Sequence, residues 1–232
     1  KFLVFILPMF ILVGCADLDL QPTDMISEEA VKKDPKLVEA FLTKIYANAV
    51  FEPNEEGGIV KQDRLTDAVV GGEYTLMAPW QNGIKASYNI PTASGAHSRL
   101  TRWHYGNIRS CNEIIEILNN ATFDAATVKV QIAEAKFLRA WMYYDMAKRY
   151  GGMPLELTAK SVDAPAEELM IPRNTLKETY DQIISDLDAA IADLPGVVIY
   201  GKASKWAAFA LKSRAALYAA RIAKYHPQSS NG

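Results

Sequence analysis

Between Thr127 and Tyr150 the chain is apolar on more than one side of a helix. Val130, Phe137, Leu138, Trp141, Met142 and Tyr144 recur at helical spacing but spread beyond a single stripe, so this helix needs neighbours on both flanks. Gly151-Gly152 and Pro154 end it, as a helix stop should. The rest of the chain supplies the neighbours. Asp34-Pro35, a capping residue followed by Pro at the first helical position, starts a helix with the stripe Val38, Phe41, Leu42, Ile45, Tyr46 and Ala49. A second helix spans about Thr101 to Leu118, with Tyr105, Ile108, Cys111, Ile115 and Leu118 at helical spacing. After the central helix, Thr175-Leu176-Lys177-Glu178 reads as a capping box opening a helix whose stripe is Leu176, Tyr180, Ile183, Ile184, Leu187, Ile191 and Leu194. Pro195-Gly196 closes it. A last helix covers about Ala203 to Tyr225, with Trp206, Ala210, Leu211, Leu217 and Ile222 expected inward. The segments Gly58–Val60 and Val197–Tyr200 are too short to build a sheet, so the fold class is all-α.

The chain resembles itself at a fixed offset. Ala135, Arg139, Ala140, Tyr143 and Tyr150 recur as Ala210, Arg214, Ala215, Tyr218 and Tyr225. Small residues at helical spacing let two helices approach closely, and repetition of such a helix predicts stacked helical hairpins of the tetratricopeptide kind. Between Glu52 and Arg99 no helical period survives, and Gly71-Gly72, Pro79, Asn82-Gly83, Pro91 and Gly95 make it a long irregular loop.

The first fifteen residues have a class of their own. Lys1 precedes an apolar run from Phe2 to Val13, too short for the roughly 20 residues a bilayer-spanning helix needs but matched to the core of a secretory signal peptide. Leu12-Val13-Gly14-Cys15 fits a lipoprotein signal in which cleavage before Cys15 leaves the cysteine acylated, and several acyl chains on one residue anchor stably. Residues 1–14 are thus expected to be a lipoprotein signal peptide, 15–33 a tether, 34–225 a helical domain and 226–232 a tail. The lack of Met at position 1 gives the expectation that residues precede Lys1.

Composition excludes much chemistry. With 50% hydrophobic and 22% charged residues the chain has the makings of a core, and a net charge of −2 offers no basic excess for nucleic acid. Cys15 and Cys111 cannot form a disulfide framework, and His97, His104 and His226 are too scattered for an all-histidine metal site, so neither metal nor cofactor is expected. There is no His-Glu-x-x-His, Gly-x-Ser-x-Gly or phosphate-loop motif, and nothing singles out a pair of catalytic carboxylates. Cys111, on an apolar stripe, reads as a buried small hydrophobe, and Asn112 and Arg139 as partners in interhelical hydrogen bonds.

Several motifs carry a family resemblance. Gly14-Cys15 with Asp17-Leu18-Asp19 and Pro22-Thr23, Ile108-Arg109-Ser110-Cys111-Asn112-Glu113, the run from Glu134-Ala135-Lys136-Phe137-Leu138-Arg139-Ala140 through Tyr143 to Arg149-Tyr150-Gly151-Gly152-Met153-Pro154-Leu155, Pro172-Arg173, and Gly201-Lys202-Ala203-Ser204-Lys205 together resemble the SusD/RagB family of outer-membrane nutrient-binding lipoproteins. The resemblance implies four tetratricopeptide-like helical pairs, no enzymatic activity, and a lid on a SusC-like TonB-dependent transporter at the cell surface, capturing glycans for import. It also implies that this chain is an N-terminal portion ending near His226-Pro227, its last helix showing an uncovered apolar face.

Sugars present flat apolar ring faces edged with hydroxyls, so a glycan site needs exposed aromatics beside amides, carboxylates or arginines. Residues 71–105 supply that mixture, with Tyr88 and Tyr105 among the aromatics. Trp80 and Trp103 are expected as stacking platforms and Tyr74, Asn82 and Arg99 as polar partners. The alternative is that the aromatics pack the loop onto the helices and that the chain is a helical scaffold binding peptides or protein partners.

Overall fold

A computed structural model describes residues 27–49, 103–161 and 163–225. Among these residues are seven helices and no strand: α1 (Glu28–Val31), α2 (Pro35–Asn48), α3 (Tyr105–Asn119), α4 (Ala125–Tyr150), α5 (Ala166–Leu169), α6 (Leu176–Asp193) and α7 (Lys205–Tyr225).

Local chemistry sets the helix starts. Asp124 Oδ2 accepts from the Thr127 backbone N–H at 2.8 Å, so α4 begins two residues earlier than the apolar pattern alone places it. Asp34 caps α2 through the Lys36 N–H at 2.8 Å, with Pro35 at the first helical position. The capping box of α6 is formed in full: Glu178 N–H donates to Thr175 Oγ1 at 3.2 Å and Thr175 N–H to Glu178 Oε2 at 2.8 Å. α7 starts at Lys205 rather than Ala203, because Ser204 Oγ accepts from the Ala207 N–H at 3.2 Å and so stands outside the helix as its cap. The stretch 15–33 is not tether throughout: Ser27 caps α1 through the Ala30 N–H, and the helical turn sinks Val31 into the core.

The helices run up and down. α3 and α4 form a hairpin across a short turn, α4 and α6 a second antiparallel pair, and α6 and α7 a third. The pairing is tetratricopeptide-like, with α4 at the centre: Ala133, Ala135, Leu138, Ala140, Met142, Tyr143 and Met146 are buried on several sides of it. Small residues let the backbones close in, as expected for Ala140 and Ala215, both buried. α2 packs across α3 and α4, and its first turn sits at the end where α3 meets α4: Gln131 Nε2 donates to Pro35 O at 3.0 Å and Thr122 N–H to Lys32 O at 3.0 Å. That end, which also holds the α6–α7 connection, is the lower end here. The upper end holds the start of α3, the stop of α4 and the start of α6.

The internal recurrence does not extend to chemistry. Arg139 is buried, whereas Arg214 is exposed; Ala135 is buried, whereas Ala210 faces water. The inward set expected for α7 is likewise corrected. Leu211, with Ala208 and Ala215, faces α6, while Trp206 is 59% and Leu217 74% exposed, Ala210 is exposed, and Ile222 is half-buried. Among the described residues α7 packs against α6 and α4, and Trp206, Phe209 and Leu217 on its other side are exposed.

Candidate functional site

Most of the motif residues turn out to hold the helices together. Arg139 lies at the middle of α4, and its guanidinium grips Asp186 of α6 with two bonds of 2.8 and 2.7 Å, both side chains buried. A third bond runs from Arg139 Nη1 to Asn112 Oδ1 on α3 at 2.7 Å, and Asn112 Nδ2 donates onward to Glu156 O at 3.0 Å. Tyr143 Oη completes the knot, accepting from the Glu156 N–H at 2.7 Å and donating to its carbonyl at 3.1 Å. Three helices and the strap 151–157 thus share one polar centre, as expected for Asn112 and Arg139. Cys111 lies fully buried beside it; burial pushes its thiol up to about 12, against a downward pull from Arg139.

A second knot joins α2, α4 and the α6–α7 connection. Tyr46 Oη donates to Glu134 Oε2 at 3.1 Å and accepts from the Ala203 N–H at 2.9 Å, while Lys202 pairs with Glu39. Burial raises the Glu134 carboxyl above its ordinary 4.5, with Lys202 and the Tyr46 hydroxyl pulling the other way.

The Gly-Gly-Met-Pro segment also has a structural reason. Gly151 has φ +80°, in the region that side chains disfavour, and a Cβ on Gly152 would stand 2.1 Å from Asn174 O. The chain therefore leaves α4 pressed against the start of α6. Arg173 clamps the crossing, its Nε donating to Gly152 O at 2.6 Å and its Nη2 to Tyr150 O.

Those roles leave Trp103 unaccounted for. It precedes α3 at the upper end and is 65% exposed, yet its ring is braced, tilted against Tyr105 at 5.2 Å and edge-on to Tyr150 at 5.4 Å between centroids. The braces are themselves fixed: Tyr105 Oη donates to Pro154 O at 2.8 Å, and its ring meets Tyr143 at 6.5 Å. The adjoining backbone is pinned as well. His104 N–H points to Met146 Sδ at 3.4 Å, and its ring Nε2 meets the buried Asp145 at 3.1 Å, which also holds Lys148 at 2.9 Å. Lys148 extends over the rings of Trp141 and Tyr144. The result is a rigid indole with an open face at the surface. Of the expected ligand-binding residues only Trp103 can be placed; Trp80, Tyr74, Asn82 and Arg99, and the lipid-attachment residue Cys15, lie outside the described residues.

Sequence reasoning did not single out Tyr150 as a brace, Asp145 as the partner of His104, or Asp186 as the partner of Arg139. The signal for the last two was present, since an aspartate on an apolar helix stripe is seldom buried unless paired. Among the described residues no group of three or more His, Cys, Asp and Glu side chains could hold a metal ion. No helix there is long and apolar enough to cross a membrane. Among the described residues two concavities flank α2, one of about 660 Å³ against α3 beside Phe41 and one of about 440 Å³ against α4 beside Glu134. Both are open to solvent and lie away from Trp103.

A sequence model of the SusD-like family, described as starch-binding and associating with the outer membrane, matches residues 18–217. The chain belongs to this family. A SusD-like protein of Bacteroides ovatus is 25% identical over 216 residues, which are 90% of this chain and 37% of that one. A solved SusD-like protein from Bacteroides fragilis superposes with a TM-score of 0.57 at 26% identity, covering 88% of this chain and 39% of the other. A second B. fragilis structure, described as a SusD-like carbohydrate-binding protein, gives a TM-score of 0.61 at 22% identity over 85% of this chain and 40% of that one. The chain therefore spans about two fifths of the length of these relatives.

Proposed function

We propose that this SusD-like chain belongs to a surface lipoprotein of the outer membrane that binds nutrient glycans and delivers them to a SusC-like TonB-dependent transporter. The observation that carries the reading is Trp103, an indole that is mostly exposed yet rigidly braced by two tyrosines. Water gains nothing from such bracing, whereas a pyranose ring gains a flat partner that loses little freedom on binding. The starch-binding description of the family supports the same ligand class. In this reading Trp80 forms a second platform, Tyr74, Asn82 and Arg99 supply hydrogen bonds to hydroxyls, and acylated Cys15 holds the protein at the membrane. In this reading the residues do binding rather than bond-breaking, and among the described residues Asp145 and Asp186 are each paired with a cation.

The test is Trp103→Ala in a glycan array and in affinity electrophoresis through starch and laminarin. Retention should fall about tenfold, with an unchanged helical circular-dichroism melt. Equal retention by the variant on every glycan that holds the wild type, or capture of peptides with no glycan bound, overturns the reading.

A further inference from the structure

The lower end holds a groove that the helix packing leaves open. It lies between the first turn of α2, the first turns of α4 and the α6–α7 connection, and its volume is about 440 Å³. That is room for a small organic ligand rather than for one structural water.

Two acceptors on its lining are unfilled. Gln131 and Glu134 stand three residues apart on α4 and therefore share a face of the helix. Gln131 is only 8% exposed, and its Nε2 donates to Pro35 O at 3.0 Å. A carbonyl can only accept, so this bond fixes which end of the amide is which. The other end, Oε1, is buried and has no hydrogen bond among the described residues. Glu134 is 6% exposed and is held in the same way: Oε2 accepts from Tyr46 Oη at 3.1 Å, while Oε1 accepts no bond among the described residues. Buried acceptors are normally paired, so two neighbours left open on one helix face mark a place where donors arrive from outside the chain.

The remaining lining narrows the class of donor. Lys36 and Lys202 set two positive charges against Glu39 and Glu134, and Lys202 is paired with Glu39. A cation would add a third positive charge to that balance. An anion would meet acceptors with no proton to offer them, next to the Glu134 carboxylate. Neutral hydroxyls do neither. Val130, Pro195 and Ile199 give the groove an apolar side, which suits the C–H face of a pyranose as the open acceptors suit its hydroxyls. Water resting on that apolar side is displaced at a gain when hydroxyls of the ligand take over its bonds to the acceptors.

We infer that this groove is a second saccharide site, taking a neutral sugar unit whose neighbouring hydroxyls donate to Gln131 Oε1 and Glu134 Oε1 while its C–H face lies against Val130 and Ile199. The class of ligand is that of the reading at Trp103; the residues are wholly different. Glu134 and Tyr150, the brace of that indole, are sixteen residues apart on α4, about 24 Å at 1.5 Å per residue. Two separate points of contact hold a long polysaccharide by avidity that neither point provides alone.

The test is nuclear magnetic resonance of the full chain carrying Trp103→Ala and labelled with nitrogen-15 at glutamine, titrated with maltotriose, laminaritriose and xylotriose. The side-chain amide signal of Gln131, identified by its loss in Gln131→Leu, should shift and saturate with at least one of them. Glu134→Gln, which can present an N–H where the open acceptor stood, should weaken that titration about tenfold. Ala126→Trp, at an exposed position on the lining, should abolish it by filling the groove, at an unchanged helical signal. A Gln131 signal that stays in place with all three sugars, as it would with water alone in the groove, overturns the inference. So does an unchanged titration in Ala126→Trp, or a shift that appears with 1,4-diaminobutane and with no sugar. The two readings fail separately. Glycan retention that depends on Trp103 while Gln131 stays silent removes this inference alone; a sugar-dependent Gln131 shift with retention indifferent to Trp103→Ala removes the indole site and leaves this one.

Discussion

Replacing Asp186 with Ala would leave the Arg139 guanidinium charged and short of its main partner in the middle of three helices. The two bonds lost are 2.8 and 2.7 Å long, and the two side chains are only 7% and 5% exposed, so water cannot substitute for the carboxylate. Breaking one side of a buried pair costs about 3–5 kcal/mol, most of it the uncompensated charge. Arg139 keeps Asn112 Oδ1 at 2.7 Å and Leu157 O at 3.3 Å, and these surviving acceptors place the loss near the lower bound, about 3 kcal/mol. For a domain of this size that is a fall in Tm of about 10 °C. Asp186→Asn, which keeps an acceptor in place, should lose about half as much. Urea unfolding followed by far-ultraviolet circular dichroism measures each variant, and Arg139→Met, alone and combined with Asp186→Ala, closes a double-mutant cycle. The double variant should fall short of the summed single losses by about 2 kcal/mol, because removing both charges leaves neither stranded. A loss below about 1 kcal/mol for Asp186→Ala, or a cycle that simply adds, would refute the assignment of the pair as the clamp between α4 and α6.

Other positions give independent checks. Gly152→Ala should destabilise by about 3 kcal/mol or more, because its Cβ would meet Asn174 O at 2.1 Å and further backbone at Leu176 N and Thr175 C, whereas Gly196→Ala, with nothing within 4 Å, should leave the unfolding free energy within about 0.5 kcal/mol of wild type. Cys111, its thiol raised to about 12 by burial, should resist a thiol reagent at pH 8 in the native protein and react only as the helical signal is lost in urea; fast native labelling would place it at the surface. Glu134 titrates above its ordinary 4.5 in the folded chain, so its contribution to stability is complete below pH 4.5 and is lost as pH rises through the folded value. Glu134→Gln removes that titration, and its urea midpoint should decline less between pH 4.5 and 7 than the wild-type midpoint does; parallel curves refute the claim.

The helices were readable in advance because their information is local. The Thr175–Glu178 box, the Asp34-Pro35 start and the two-sided stripe of α4 each act within a few residues, and the structure bears them out. Start positions slipped by two residues where a cap decides, as with Asp124 and Ser204, since a cap competes with helix propensity by hydrogen bonding that periodicity does not register. The outward face of α7 was misread for a different reason. Trp206, Ala210 and Leu217 are as apolar as Leu211, and which of them meets α6 depends on the rotation of one helix against another, a property of the pair. The polar knots lie between these cases. Asn112 and Arg139 announce an interhelical bond by standing on apolar stripes, but the partner of Arg139 is 47 residues away and that of His104 is 41 away, so only the fold could name Asp186 and Asp145. The same division bears on the site. Residues that recur as family motifs, from Asn112 and Arg139 to Gly152, Arg173 and Lys202, are occupied in joining helices, and each has its partners inside the chain. A ligand must therefore be recognised by what such motifs leave unused. Trp103 is such a residue, lying just outside every motif, exposed on a frame that the motifs make rigid.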